Sequence, residues 1–211
     1  MRRLNRPEAP LCLKKYRHGC HNWGHVTGDD KSEIWDSLNV MQENRCAYCE
    51  SGIRTNVGDS NAHIEHFRQR SRYQKGTFEW NNLFGSCNRV DSCGNHKDKQ
   101  GYDYNDLIKM DQEDPEHYLR FLGDGQVLAA EGLSAVCERK AHETIRIFNL
   151  NGSLRQIRET YVMGYLQTAK EIAEMALEFE ESEWRPFLEE ELQAITGQPF
   201  ETAIRHVLQF S

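Results

Sequence analysis

Four cysteines in two close-spaced pairs are the first residues here that could do chemistry. Cys46-Ala47-Tyr48-Cys49 has the C-x2-C spacing, in which one tight turn offers two thiolates to the same tetrahedral ion. Cys87 and Cys93 follow with five residues between them, a wider knuckle than usual. Together Cys46, Cys49, Cys87 and Cys93 predict a structural zinc site. Four thiolates leave zinc no open position, so its expected role is to brace the fold and not to react. The chain has seven cysteines, an odd number that argues against a disulfide framework.

Between the pairs lies His63-Ile64-Glu65-His66. On an extended strand alternate side chains share a face, so Glu65 and His66 diverge unless the chain bends, while His63 shares the side of Glu65. A carboxylate could hold a divalent cation that neutralises a scissile phosphate and its leaving oxygen. An imidazole, with an ordinary pKa of about 6.5, could take a proton from the attacking water. His63 is a rival for that base, or a partner that orients a ligand. Trp80-Asn81-Asn82-Leu83 comes next, and then Asn95-His96-Lys97 on a predicted short helix.

This ordered set (C-x2-C, Glu-His, Asn-Leu, C-x5-C, Asn-His-Lys) resembles the HNH endonuclease family. The resemblance implies that His66 is the general base. It implies that Glu65 and His96 are ligands of a catalytic Mg2+ or Mn2+, and that Asn82 fixes the loop that orients His66. Asn95 is the alternative to His96, which imidazole's stronger affinity for a borderline metal favours. Glu65 stands where the family more often has Asp, and Gln69 where a proline often follows.

The likeness extends to Met1-Arg2-Arg3-Leu4, Cys46 to Glu50, Ile64 to Phe67, Trp80 to Cys87 and the helical tail. Over most of its length the chain is similar to the PtuB-like HNH components of Septu-type anti-phage defence systems, some encoded beside retrons. That implies nucleic acid as substrate and a PtuA-like ATPase as partner, with a retron reverse transcriptase and its RNA–DNA product as further partners in retron systems. The choice between DNA and RNA stays open. The alternative is a zinc-braced module that binds nucleic acid or protein and cuts nothing.

The elements that must position these residues form an expected α+β fold: a zinc-braced ββα-metal core with flanking helices and a C-terminal helical region. An irregular basic arm covers 1–31, the nuclease module 32–110, and a mainly helical, partner-binding region 111–211. A first helix is expected from Ser32 as N-cap, with Ile34, Trp35, Leu38 and Met41 at helical spacing. Strands are expected over Asn61–Phe67 and Trp80–Ser86, and a short helix over Cys93–Lys99. Gly123-Asp124-Gly125 marks a turn. Helix is expected from Ala141, then one long helix striped from Leu154 to Met175, then a last helix carrying Phe200, Ile204, Val207 and Leu208.

The formal net charge is −7, which excludes a simple basic coat for nucleic acid. Positive charge is local: Arg2, Arg3, Arg6, Lys14, Lys15 and Arg17 in the arm, and Arg68, Arg70, Arg72 and Lys75 after the Glu-His pair. Either stretch could meet phosphates. Tyr16 and Trp23 could stack on bases. Cys12, His18, Cys20, His21 and His25 could hold a second zinc. Glutamates crowd Glu171 to Glu191. There is no signal-peptide core and no apolar run of membrane-spanning length, so a cytoplasmic protein is expected.

Overall fold

The computed structural model describes residues 1–56 and 58–210. The first helix, α1 (Gly28–Gln42), starts earlier than Ser32 because Thr27 caps it: the Thr27 hydroxyl accepts from the Asp30 N–H at 3.2 Å. Asp29 and Asp30 then add negative charge to the first turn, where the helix dipole favours it. Ile34, Leu38 and Met41 form the buried stripe. The arm before it contains two short 3-10 turns, Leu11–Lys15 and Trp23–His25.

Strands β1 (Ala62–His66) and β2 (Leu83–Cys87) pair antiparallel, with Glu65 opposite Phe84 and His66 opposite Leu83. Helix α2 (Cys93–Lys97) follows directly. The end of α1 grips β2 through Gln42, whose amide accepts from Gly85 N–H at 2.7 Å and donates to Gly85 O at 2.9 Å. A Cβ on Gly85 would sit 2.7 Å from the Trp35 ring, so only glycine allows this approach.

Gly123-Asp124-Gly125 joins a second hairpin, β3 (Leu119–Phe121) with β4 (Val127–Ala129). Strands of three residues are too short for a period-2 pattern to show. Helix α3 (Ala135–Ile147) starts ahead of Ala141 because Ser134 caps it, accepting from the Cys137 N–H. The long helix expected over Leu154–Met175 is two, α4 (Ser153–Met163) and α5 (Leu166–Glu178). Gly164 is a poor helix former, and the Tyr165 N–H turns back to Val162 O at 2.9 Å. The acidic run folds as α6 (Glu181–Ala194), with Pro186 inside it, and α7 (Glu201–Phe210) ends the described chain.

The helical tail closes onto the first cysteine pair. Tyr48 stacks on Phe148 at 4.1 Å between ring centres. Glu50 accepts from the Thr202 N–H at 3.0 Å, and Arg45 pairs with Glu201 at 2.7 Å. One buried core therefore runs from the arm through the cysteine knuckles to α7. The fold is α+β. Among the described residues no helix is long and apolar enough to cross a membrane.

Candidate functional site

The sulfurs of Cys46, Cys49, Cys87 and Cys93 lie within 4.8 Å of one another, and all four side chains are buried. Zinc–sulfur bonds of about 2.3 Å in a tetrahedron put sulfurs about 3.8 Å apart; Cys49 and Cys87 are at 3.9 Å. Hydrogen bonds from the other three thiols pull the Cys49 thiol well below its ordinary pKa, while burial raises Cys46 and Cys93 well above theirs. These residues fit a zinc ion. The wide second knuckle reaches because Cys93 adopts a left-handed φ of 53°, which turns the Asn88–Ser92 loop back onto the cluster.

Glu65 of β1 meets Lys97 of α2. Lys97 Nζ is 2.6 Å from Glu65 Oε1, and both side chains are buried. Nζ also donates to His66 O at 3.0 Å. Burial works against both charges, but Glu65 still raises the pKa of Lys97, and His63 and Lys97 together lower that of Glu65. Glu65 Oε2 faces His63 Nε2 at 3.1 Å, while His63 Nδ1 faces Asn88 Oδ1 at 2.8 Å. Burial disfavours the charged ring, yet Glu65 and Asn88 together raise the pKa of His63. Glu65 lies over Gly94, where a Cβ would come within 2.7 Å of Oε2.

His66 points the other way. Its Nε2 is 3.0 Å from Thr77 O. A carbonyl only accepts, so Nε2 carries the proton and Nδ1 keeps its lone pair. Nδ1 has no hydrogen-bond partner among the described residues. Burial, the largest cause, holds the ring neutral and lowers its pKa to about 4. Trp23 from the arm meets the ring edge-on, 4.6 Å between centres.

Asn82 ties down the loop that supplies Thr77. Its Oδ1 accepts from the Arg68 N–H at 2.8 Å, and its Nδ2 donates to Arg68 O at 3.2 Å and Gly76 O at 3.0 Å. Gln69 donates to Lys97 O at 3.1 Å, a contact with the end of α2 that proline lacks the side chain to make.

The structure sets His63 beside Glu65 and ties Asn82 to the loop that supplies Thr77, while His66 points away from Glu65. His96 turns toward α3: Nδ1 donates to Ile147 O at 2.9 Å and Nε2 meets the Gln100 amide at 3.4 Å. Asn95 donates to Arg89 O at 3.1 Å. In the arm, Cys12 joins Asp30 and Glu33, not the histidines. Its thiol is pushed up to about 11 by burial and by those two acids. Arg2 and Arg6 pair with Glu43 and Asp111, and Lys15 with Asp30, so these arm cations serve the fold.

Lys97 and Thr77 were not marked as site residues by sequence reasoning. For Lys97 a signal existed: Cys93 and Lys97 are one turn apart, so a helix that aims Cys93 inward aims Lys97 inward too. Thr77 acts through its backbone, which no side-chain pattern reveals.

No protein-family model matches the chain. The chain is similar to the Septu protein PtuB of Bacillus thuringiensis, with 25% identity over 179 residues, covering 84% of this chain. It spans 62% of the length of that relative.

Proposed function

We propose that the chain is a metal-dependent HNH endonuclease that hydrolyses phosphodiester bonds of DNA or RNA as the effector of a Septu-type anti-phage defence system. The observation that carries this reading is the His66 ring, held neutral with Nε2 on the Thr77 carbonyl and Nδ1 without a partner among the described residues. In this reading Nδ1 takes the proton of the attacking water. Asn82 keeps the loop, and with it the ring, in register. The likeness to PtuB supports the defence role, and with it a PtuA-like ATPase partner.

The cation expected of such an enzyme is Mg2+ or Mn2+, and Glu65 with His63 would hold it. Two ligands about 2.1 Å from one octahedral ion and at right angles lie about 3 Å apart. Glu65 Oε2 and His63 Nε2 are 3.1 Å apart, which fits. Bound there, the ion would neutralise the scissile phosphate and its leaving oxygen. His96, the ligand the HNH resemblance implied, is turned onto the Ile147 carbonyl of α3, whereas His63 Nε2 already lies beside Glu65 Oε2, so His63 replaces it in this reading. Lys97 fixes Oε1 and leaves Oε2 to the ion.

The second reading is a zinc-braced binding module that cuts nothing. It is favoured by one observation: His63 and Lys97 already lie against the two oxygens of Glu65. Purified full-length protein, with Mg2+ or Mn2+ and plasmid, single-stranded DNA or tRNA, separates the two. Cleavage is expected, and His66→Ala should reduce it by a factor of about 10² to 10⁴ without changing zinc content. Binding with no cleavage of any substrate selects the second reading. Near-normal His66→Ala with inactive His63→Ala transfers the base to His63.

A further inference from the structure

Beside His66 the arm and the loop after β1 enclose an open cleft of about 460 Å³. His18, His21, His25, Trp23, Arg70 and Gln74 line it, and none of its described lining residues is acidic. That is unusual in a chain with 33 acidic residues. Arg70 is exposed and has no carboxylate partner among the described residues, unlike Arg2, Arg6 and Lys15 of the arm.

Two of the imidazoles are set as donors by the backbone. His21 Nδ1 accepts from the Arg17 N–H and His25 Nδ1 from the Asn22 N–H, each at 3.1 Å. Each neutral ring therefore carries its proton on Nε2, which has no hydrogen-bond partner among the described residues. The cleft presents a guanidinium and two imidazole N–H groups with no acceptor supplied by the protein. An anion is the ligand that satisfies such a set.

The same cleft touches the catalytic candidate twice. Thr77 lines it and holds His66 Nε2 through its carbonyl. Trp23 lines it and packs edge-on against the His66 ring. Trp23 is anchored from behind by Phe78, and Phe78 by Tyr16, ring centres 6.3 and 5.3 Å apart.

We propose that this cleft is a substrate subsite in which Arg70, His21 and His25 bind a backbone phosphate of the nucleic-acid strand, next to the phosphate hydrolysed at His66. The proposal rests on the nuclease reading and deepens it. Arg70 is a binding residue, and Trp23 a positioning residue that couples the occupied arm to His66.

The test is fluorescence anisotropy with a short labelled single strand and full-length protein, across a range of salt and without added divalent cation. Arg70→Gln should weaken binding about three- to tenfold and flatten the log–log salt dependence by about 0.7, the loss of one single-strand phosphate contact. Arg70→Lys should restore part of the affinity. His21→Gln with His25→Gln should weaken binding further, and Lys170→Gln on α5 should change nothing. In cleavage assays Arg70→Gln should raise KM and leave kcat. Unchanged affinity and salt dependence in both cleft variants would overturn the subsite while a cutting enzyme keeps the nuclease reading. Displacement of the strand by a 5′-mononucleotide as effective as an unlabelled strand would also overturn it, making the cleft a small-nucleotide pocket. Wild-type protein that neither binds nor cuts any nucleic acid overturns both.

Discussion

Lys97 Nζ lies 2.6 Å from Glu65 Oε1, with both side chains buried, so helix α2 and strand β1 are joined by an ion pair. Removing Lys97 leaves the buried Glu65 with only the half-buried His63 as partner, which costs up to about 3–5 kcal/mol. Lys97→Met should therefore lose about that much stability in urea unfolding. The double variant Lys97→Met with Glu65→Gln should recover most of it. Single losses that simply add in the double would show that the pair is not coupled.

The pH dependence follows from His66. Its pKa is lowered to about 4, chiefly by burial, and the neutral ring is the base. The acid limb of kcat should then fall near pH 4 and not at the ordinary His value of about 6.5. The stability sign is fixed too. Between about 6.5 and 4 the unfolded ring binds a proton that the folded ring refuses, so His66 costs stability as pH falls through that window. An acid limb near 6.5 would mean that the ring titrates as if in water.

Zinc should be part of the folded state. Elemental analysis should find one zinc per chain, and Cys46→Ser or Cys87→Ser should misfold, because binding at four thiolates is folding free energy. Brief EDTA treatment should abolish cleavage before zinc is lost. Active protein that contains no zinc would defeat the four-cysteine site.

The partner surface can be tested without cutting the chain. A truncation near Leu150 would strip Phe200 and α7, whose Ile204 and Val207 are buried with it in the core. Point changes are safer. Leu177, Phe179 and Phe187, along and between α5 and α6, are 87%, 50% and 53% exposed among glutamates. Asp at all three should abolish co-elution with a co-expressed PtuA-like ATPase and leave cleavage by the isolated chain unchanged. Undisturbed co-elution would move the dock elsewhere, and a wild-type chain that ignores the ATPase would end the partner reading.

Local chemistry made part of this protein legible in its sequence. The C-x2-C turn at Cys46 and Cys49, the strand carrying Glu65 and His66, and the apolar spacing of α1 and α7 all follow from contacts between near neighbours, whereas Trp80–Asn82, expected at the start of the second strand, forms a 3-10 turn ahead of it. The tertiary structure decided what those residues face. Strand parity separated Glu65 from His66, but only the packing of α2 under β1 showed that Lys97 fills one side of Glu65 and His63 the other. Only the approach of α3 to α2 turned His96 onto the Ile147 carbonyl. The break at Gly164 and the cleft between the arm and Arg70 belong to the same class. Sequence spacing sets which side chains share a face, whereas a buried charge takes whatever partner the fold brings within hydrogen-bond reach. Those partners come from distant parts of the chain, and no local pattern encodes them.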